Sequence, residues 1–231
     1  MIREALLEDW PAISDVSKRS GYEDYINRVG EDFLRSGTVL VLDENSIIGF
    51  LKMEYLPDGS AWLGGLRVDP DYWRKGVGSK LTASALELAA SKGCPYARLL
   101  IYDDNFRSLG LAEKQGFEKI GKFDFYEFVP DLSGFSHNLV DAEGVINLGW
   151  KFARVTDSSR IPVEEYWKGG WRILSTESRT FQIRSIGDKP IIMVEGGFTC
   201  INSEIGNSPY LEEYRNGVFT SGYVLEKKLQ P

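Results

Sequence analysis

Two glycines and two basic residues lie together in the segment from Arg74 to Ser79, ahead of a run of apolar residues at helical spacing. Gly76 and Gly78 permit unusual backbone dihedrals and the close approach of a bulky ligand, and the Ser79 side chain is of a type that caps helices. The first turn of a helix presents N–H groups and the positive end of a dipole, which suit phosphate oxygens. The segment therefore predicts a phosphate-binding loop, with tight helix packing as the alternative.

Two well-known phosphate motifs do not fit this loop. The dinucleotide fingerprint requires three glycines in the spacing G-x-G-x-x-G/A, and Ala83 is misplaced for the third. The P-loop requires Gly-Lys-Ser/Thr after four intervening residues, which this segment lacks. What remains is G-x-G, preceded by L-x-V-x-P and followed by a helix, a strand and the run N-x-x-S-x-x-L-A-E-K-Q-G-F.

In this order, these motifs resemble the GNAT family of acyl-CoA-dependent N-acyltransferases over residues 1–130. Leu66-Arg67-Val68 is similar to the family's central strand, residues 73–79 to its pyrophosphate loop, and Asn105 to Phe117 to its last conserved helix and the start of a strand. The resemblance implies an α+β fold, the GNAT acyltransferase fold, in which a mixed sheet carries flanking helices. It also implies that Gly64-Gly65 form a bulge beside the acyl-CoA arm, although a purely structural bulge is the alternative.

The resemblance implies a reaction with acetyl-CoA as cosubstrate, in which the acetyl group passes to a primary amine of a small molecule or peptide by direct attack. Backbone N–H groups of the loop are expected to bind the pyrophosphate. An N–H group of Leu66 or Val68 is expected to stabilise the charge that develops on the thioester oxygen. The residues that the resemblance assigns to cofactor binding are Leu66, Arg67, Val68, Arg74, Lys75, Gly76, Val77, Gly78, Ser79 and Asn105.

The family's acid–base residues are not all in place. Ala112 occupies the position of the tyrosine that protonates the departing thiolate in the family, so Tyr102 or Tyr126 is the candidate substitute, although a strand aromatic is also typical of a core. Glu54 is the candidate general base, with a solvated surface carboxylate as the alternative. Trp73 stands where the family has glutamine or arginine. Because a thiol has a reference pKa of about 8.5, the thiolate leaves tolerably without assistance.

Hydrophobic periodicity predicts the elements that carry these residues. A helix is expected from Trp10, a second from Tyr22 to Phe33, and a third after the glycine loop. The strands expected in this part of the chain are Ile2–Leu7, Thr38–Leu42, Ile47–Tyr55, Ala61–Val68 and Ala97–Tyr102, followed by one or two over Phe117–Val129.

Residues 131–231 predict a separate β-rich domain of unknown role. A loop is expected over residues 131–138, and short helices over Val163–Lys168 and Pro209–Tyr214. The expected strands are Val145–Val155, Trp171–Ser175, Thr180–Ile186, Pro190–Asn202 and Phe219–Leu229. This part holds no motif that carries chemistry, so we expect it to shape the acceptor side of the cleft or to form a homodimer.

Composition limits the classes of partner. A net charge of −7 and a pI of about 5.0 argue against a nucleic-acid-binding protein. No apolar run approaches the roughly 18 residues of a membrane span. The two cysteines are far apart and no secretory segment follows Met1, so a reduced, cytoplasmic setting is expected. The single histidine precludes a metal site built on several histidines, and no metal is expected.

Two functions fit these residues. The first is an N-acetyltransferase with a minimal set of acid–base groups. The second is a non-catalytic acyl-CoA-binding module that senses the cofactor, which Ala112 and Trp73 favour. Acetyl-CoA and a panel of amines would separate the two, because only the enzyme releases a thiol.

Overall fold

The computed structural model describes residues 1–22, 25–155, 159–177, 179–206 and 208–229. The chain forms two compact units. The first comprises residues 1–99, 110–117 and 227–231, and the second comprises residues 100–109 and 118–226. The domain boundary predicted at residue 130 remains a prediction.

The first unit is a mixed sheet with helices on both faces. Its strands are β1 (Ile2–Glu4), β2 (Thr38–Asp43), β3 (Ile47–Tyr55), β4 (Ala61–Val68) and β5 (Tyr96–Tyr102, of which residues 96–99 belong to this unit). Neighbours in this order are antiparallel, except that β4 and β5 are parallel. The mixed sheet confirms the predicted fold class, and β3 and β4 have the predicted bounds.

Helices α1 (Trp10–Arg19) and α2 (Tyr25–Val29) cover one face of this sheet, and α3 (Val77–Ser91) covers the other. The helix predicted from Tyr22 to Phe33 is divided between α2 and the 3-10 turn Gly30–Leu34, and residues 23 and 24 lie outside the described part of the chain. The apolar core on the α1–α2 face is formed by Ile13, Val16, Ile26, Phe33, Val39, Val41, Ile47 and Phe50.

A bulge interrupts β4, one residue later than the predicted Gly64-Gly65, because Gly64 is still paired with Lys52. Two residues, Gly65 and Leu66, face the single residue Leu51 of β3. Gly65 has a φ of +63°, which glycine adopts at little cost. A Cβ atom at this position would lie 3.2 Å from the Phe33 ring, so the helical face approaches the bulge closely.

Strands β4 and β5 are paired in parallel over a short stretch, and hydrogen bonds near the start of both strands hold this pair in place. Its register ends at Trp62, although β4 continues to Val68. The fully buried Arg98 guanidinium of β5 donates to the Asp58 carboxylate and, at 2.6 Å, to the Ser60 hydroxyl. A buried ion pair of this kind is better evidence for fixed geometry than for added stability. The start of the β4–β5 pair is therefore tied to the turn that joins β3 and β4.

The last described residues of the chain also belong to the first unit. The Leu229 N–H group donates to the Pro95 carbonyl at 2.9 Å, immediately before β5. The Lys227 ammonium donates to the Gln115 carbonyl at the end of the predicted family helix. That helix is α4 (Phe106–Lys114), and its residues 110–114 lie in the first unit.

The second unit consists mainly of β-strands. These are β6 (Glu118–Pro130), β7 (Ser136–Asp141), β8 (Val145–Leu148), β9 (Lys151–Arg154), β10 (Pro162–Lys168), β11 (Trp171–Glu177), β12 (Thr180–Ser185), β13 (Met193–Asn202) and β14 (Val218–Lys228). The larger sheet has the order β14-β6-β13-β12-β11-β10-β7, with β12 and β13 parallel, and β8 and β9 form a separate hairpin.

Some local predictions in this unit are wrong. The segment Val163–Lys168, predicted as a helix, lies in β10, because it is paired on one side with β7 and on the other with β11. The loop predicted over residues 131–138 ends at Ser136, where β7 begins. The helix predicted at Pro209 is confirmed as the 3-10 helix Pro209–Gly217. Among the described residues, no helix is long and apolar enough to cross a membrane.

Candidate active site

The loop between β4 and α3 turns through two residues with positive φ. Arg74 has a φ of +62° and Gly76 a φ of +80°. The Trp73 indole N–H donates to the Val68 carbonyl at 2.8 Å and so ties the start of the loop to the end of β4. Trp73 therefore has a structural contact at the position where the family carries a polar side chain.

The N-terminal end of α3 offers backbone donors beside this loop. The first hydrogen bond of the helix runs from the Lys80 N–H group to the Gly76 carbonyl at 3.0 Å. The N–H groups of Val77, Gly78 and Ser79 precede it, and such groups have no acceptor within their own helix. Residues 73–76 are exposed, so the loop is open to a ligand. The donors and the neighbouring positive charges fit a diphosphate.

The two loop glycines serve different purposes. Gly76 occupies the left-handed region, and a Cβ atom there would meet no atom within 4 Å. At Gly78, a Cβ atom would lie 3.3 Å from Leu111 and 3.6 Å from Leu66, so this glycine lets α3 pack closely. Ser79 lies inside the helix, whose cap residue is Gly76, so the prediction that Ser79 caps the helix is wrong.

The central strand presents its residues to both faces of the sheet. Leu66 and Val68 lie toward α3, within 3.9 Å of the position of a Cβ atom at Gly78. Arg67 lies on the opposite face, where its guanidinium carbon is 4.3 Å from the centre of the Tyr22 ring. The Arg67 side chain also donates to the Leu66 carbonyl at 2.8 Å. Arg67 therefore adds positive charge to the α1–α2 face beside the bulge.

Glu54 lies on the same face, near the end of β3. It is half-buried and stands opposite Trp62 in the β3–β4 register. The segment before β2 closes over it, because a Cβ atom at Gly37 would lie 2.7 Å from the Glu54 Cγ atom. The absence of a side chain at Gly37 therefore leaves the space that Glu54 occupies.

The second unit holds three of the residues that the sequence analysis considers for the site, Tyr102, Asn105 and Tyr126. Tyr102, the last residue of β5, is 46% exposed, and its carbonyl accepts from the Asn105 N–H group at 3.0 Å. The Asn105 side chain accepts from the Ser108 N–H group at 3.1 Å and thus caps the start of α4. Tyr126 is buried in the core of this unit, where desolvation, with a smaller contribution from Asp124, raises its pKa to about 12.

Ala112, at the position of the family's tyrosine, is buried with 2% of its surface exposed. It belongs to the first unit and cannot supply a hydroxyl group. The first unit brings together the central strand, the loop and Glu54, whereas Tyr102 and Asn105 belong to the second.

Sequence reasoning missed Lys52, a buried lysine on the Glu54 side of β3. Its signal is a single cation within the otherwise apolar run Ile47 to Met53. No group of three or more histidine, cysteine, aspartate or glutamate residues suited to a metal ion occurs within the described ranges.

Comparison of the sequence with known proteins gives a family match and a curated relative. A model of the acetyltransferase (GNAT) family matches residues 1–117. A probable spermine N(1)-acetyltransferase from Bacillus subtilis subsp. natto (strain BEST195) is 28% identical in an alignment of 90 residues, which covers 36% of this chain and 59% of that protein. The chain therefore matches less than two thirds of the length of this curated relative.

Solved structures match the fold. A candidate acetyltransferase from Thermoplasma acidophilum covers 99% of this chain and 99% of its own, with a TM-score of 0.61 and 18% identity. The PaiA N-acetyltransferase of the same organism, solved in complex with coenzyme A, covers 52% of this chain and 89% of its own, with a TM-score of 0.46 and 21% identity. The first of these extends the similarity of fold to the β-rich part of the chain.

Proposed function

Because the chain belongs to the acetyltransferase (GNAT) family, we propose that it transfers an acetyl group from acetyl-CoA to a primary amine of a small molecule or peptide. One observation carries the proposal: an open loop with backbone donors directly follows a bulged strand. The N–H groups of Val77, Gly78 and Ser79 would hold the pyrophosphate, with Arg74 and Lys75 adding positive charge. Asn105 contributes through α4, whose first turn it caps.

The acyl donor would lie along the part of β4 that extends beyond Trp62. This part of the strand pairs with β3, while the register with β5 ends at Trp62, and we propose that an extended acyl donor lies beside β4 on that side. An N–H group of Leu66 or Val68 would donate to the thioester oxygen as negative charge develops there. The thioester supplies an activated acetyl group and a thiolate leaving group.

Proton transfer completes the proposed reaction. An amine that arrives protonated must lose a proton before its nitrogen can attack, and Glu54 is the proposed acceptor. The C–N bond forms while the C–S bond breaks, and the second proton that the amine nitrogen loses passes to water, which can return a proton to Tyr102 once Tyr102 has protonated the thiolate. The thiolate gains a proton, for which the Tyr102 hydroxyl is the proposed donor, because Tyr102 is exposed and Ala112 cannot serve.

We expect Tyr102→Phe to lower kcat by less than about 10²-fold, the lower end of the range for a general acid, because a thiolate leaves well by itself. KM for acetyl-CoA should not change. Steady-state kinetics would test this, with Tyr166→Phe as the matched control, because the Tyr166 hydroxyl is bonded to Glu164 within the second unit. An undiminished kcat in Tyr102→Phe would remove Tyr102 from the mechanism.

Thiol release in the presence of amines tests the proposed function itself. The panel should include spermine, because a relative is named for it, together with a lysine-containing peptide and small monoamines. We expect amine-dependent thiol release, and mass spectrometry should detect an amine whose mass has increased by one acetyl group. Binding of acetyl-CoA without thiol release for any amine would contradict the enzyme.

The buried Ala112 favours a second candidate function, a non-catalytic module that binds acyl-CoA and senses its level. Such a module needs the loop and the bulged strand but neither the base nor the acid. It predicts saturable binding of acetyl-CoA in calorimetry with no turnover in the same assay. The loop contacts serve both functions equally, so turnover is the measurement that decides between them.

A further inference from the structure

Lys52 is buried on β3, with only 6% of its surface exposed. Its ammonium donates to the Phe33 carbonyl at 2.8 Å and to the Ser36 hydroxyl at 2.8 Å. It also lies 4.5 Å from the centre of the Phe33 ring. A buried charge is costly unless it is hydrogen-bonded, so these contacts fix the ammonium and the chain segment that surrounds it.

The segment that Lys52 holds runs from Phe33 to Gly37 and includes the end of the 3-10 helix and the residues that join it to β2. The Phe33 carbonyl belongs to the last turn of that 3-10 helix, where carbonyl groups lack partners within the helix and attract a cation. Ser36 is exposed, so its bond to Lys52 connects the outer end of the segment to the buried strand.

This segment contacts two parts of the proposed active site. At one end, the Phe33 ring packs beneath the bulge, 3.2 Å from the position of a Cβ atom at Gly65. At the other end, Gly37 packs against the Met53 carbonyl and the Glu54 Cγ atom. One ammonium group therefore anchors the element that supports both the acyl-donor strand and the candidate base.

We propose that Lys52 is a positioning residue. Through the segment 33–37, it holds the Glu54 side chain and the bulge of β4 in the geometry that the reaction requires. This inference rests on the proposed function. The role proposed for Lys52 is structural, because its ammonium donates to the Phe33 carbonyl and to the Ser36 hydroxyl. It lies on the α1–α2 face, whereas the donors for the pyrophosphate lie at the start of α3, on the other face.

The test is Lys52→Met, which keeps the length of the side chain and removes both hydrogen bonds. We expect kcat per folded site to fall about 10-fold or more, because a small misplacement of reacting groups can cost up to about 10²-fold. The Kd and KM for acetyl-CoA should remain within about twofold of the original values, since the loop contacts are unchanged. Calorimetry with acetyl-CoA gives both the Kd and the number of folded sites, so unfolding is not mistaken for a loss of kcat.

Two further variants keep the inference falsifiable. Ser36→Ala removes one of the two hydrogen bonds from an exposed position and should lower kcat in the same direction, by a smaller factor. Lys92→Met alters an exposed lysine just after α3 and should leave kcat unchanged. If folded Lys52→Met and Ser36→Ala retain full kcat, or if they lose acetyl-CoA affinity in proportion to kcat, the inference is overturned. If the unaltered protein releases no thiol with any amine, the proposed function fails and the inference fails with it.

Discussion

Replacement of Glu54 by glutamine is expected to lower kcat for acetylation by about 10²–10⁴-fold, the range typical of a general base. Glutamine keeps the size of the side chain, and hence its packing against Gly37, but it cannot accept a proton at neutral pH. KM for acetyl-CoA should not change, because the loop at the start of α3 lies on the opposite face of the sheet. Steady-state kinetics at saturating acetyl-CoA, with the amine concentration varied, would measure both quantities.

Glu4→Gln is the matched control for this substitution. Glu4 is exposed on β1, at the edge of the same sheet, and its replacement should leave both constants unchanged. A kcat in Glu54→Gln within about fivefold of the original would show that another group, or water, takes the proton. An increase in KM for acetyl-CoA alone would instead place Glu54 in cofactor binding.

Replacement of Ser79 by proline is expected to weaken acetyl-CoA binding about 10–150-fold, the equivalent of one hydrogen bond to a charged group, about 1.5–3 kcal/mol. Ser79 lies in the first turn of α3, where proline is tolerated. The substitution removes one N–H group from the proposed pyrophosphate site without changing the charge. Calorimetry would give the Kd, and circular dichroism would show whether the helix is retained.

Ser79→Ala is the matched control for the proline variant, because it removes the hydroxyl but keeps the N–H group. The Ser79 carbonyl, which accepts from the Gln115 side chain at 3.3 Å, is present in all three proteins. The alanine variant should bind acetyl-CoA with nearly the original affinity. Equal affinities for a folded proline variant and the alanine variant would show that the Ser79 N–H group does not contact the cofactor.

The elements nearest the site could be predicted from sequence because their signals are local. The apolar run of β3, the apolar residues of β4 and the glycine pair next to its bulge are each signals that depend on neighbouring residues alone. The loop was also predictable, because glycine is needed where the backbone enters the left-handed region, as at Gly76. These features set the geometry around the proposed cofactor site.

The features that sequence could not supply depend on packing between distant segments. The sequence predicts that Gly78 faces a ligand, yet the Leu111 and Leu66 side chains fill the space that a side chain at Gly78 would occupy. The burial of Lys52 could not be predicted, because the carbonyl that binds it comes from a turn 19 positions earlier in the chain. The same limitation contributes to the error at β10, because one of its partner strands, β7, is remote in sequence, although β11 follows after a two-residue turn.

Leu229 and Lys227, near the end of the chain, donate hydrogen bonds to Pro95 and Gln115 of the first unit. Because residues 227–231 belong to the first unit, the long span from 118 to 226 is an insertion in the sequence of that unit. The residues 1–117 that match the family model therefore do not make up the whole unit. A fragment cut after residue 117 would lose the donors that Leu229 and Lys227 provide. Grafting the first unit onto another protein would therefore require residues 227–229 as well as residues 1–117.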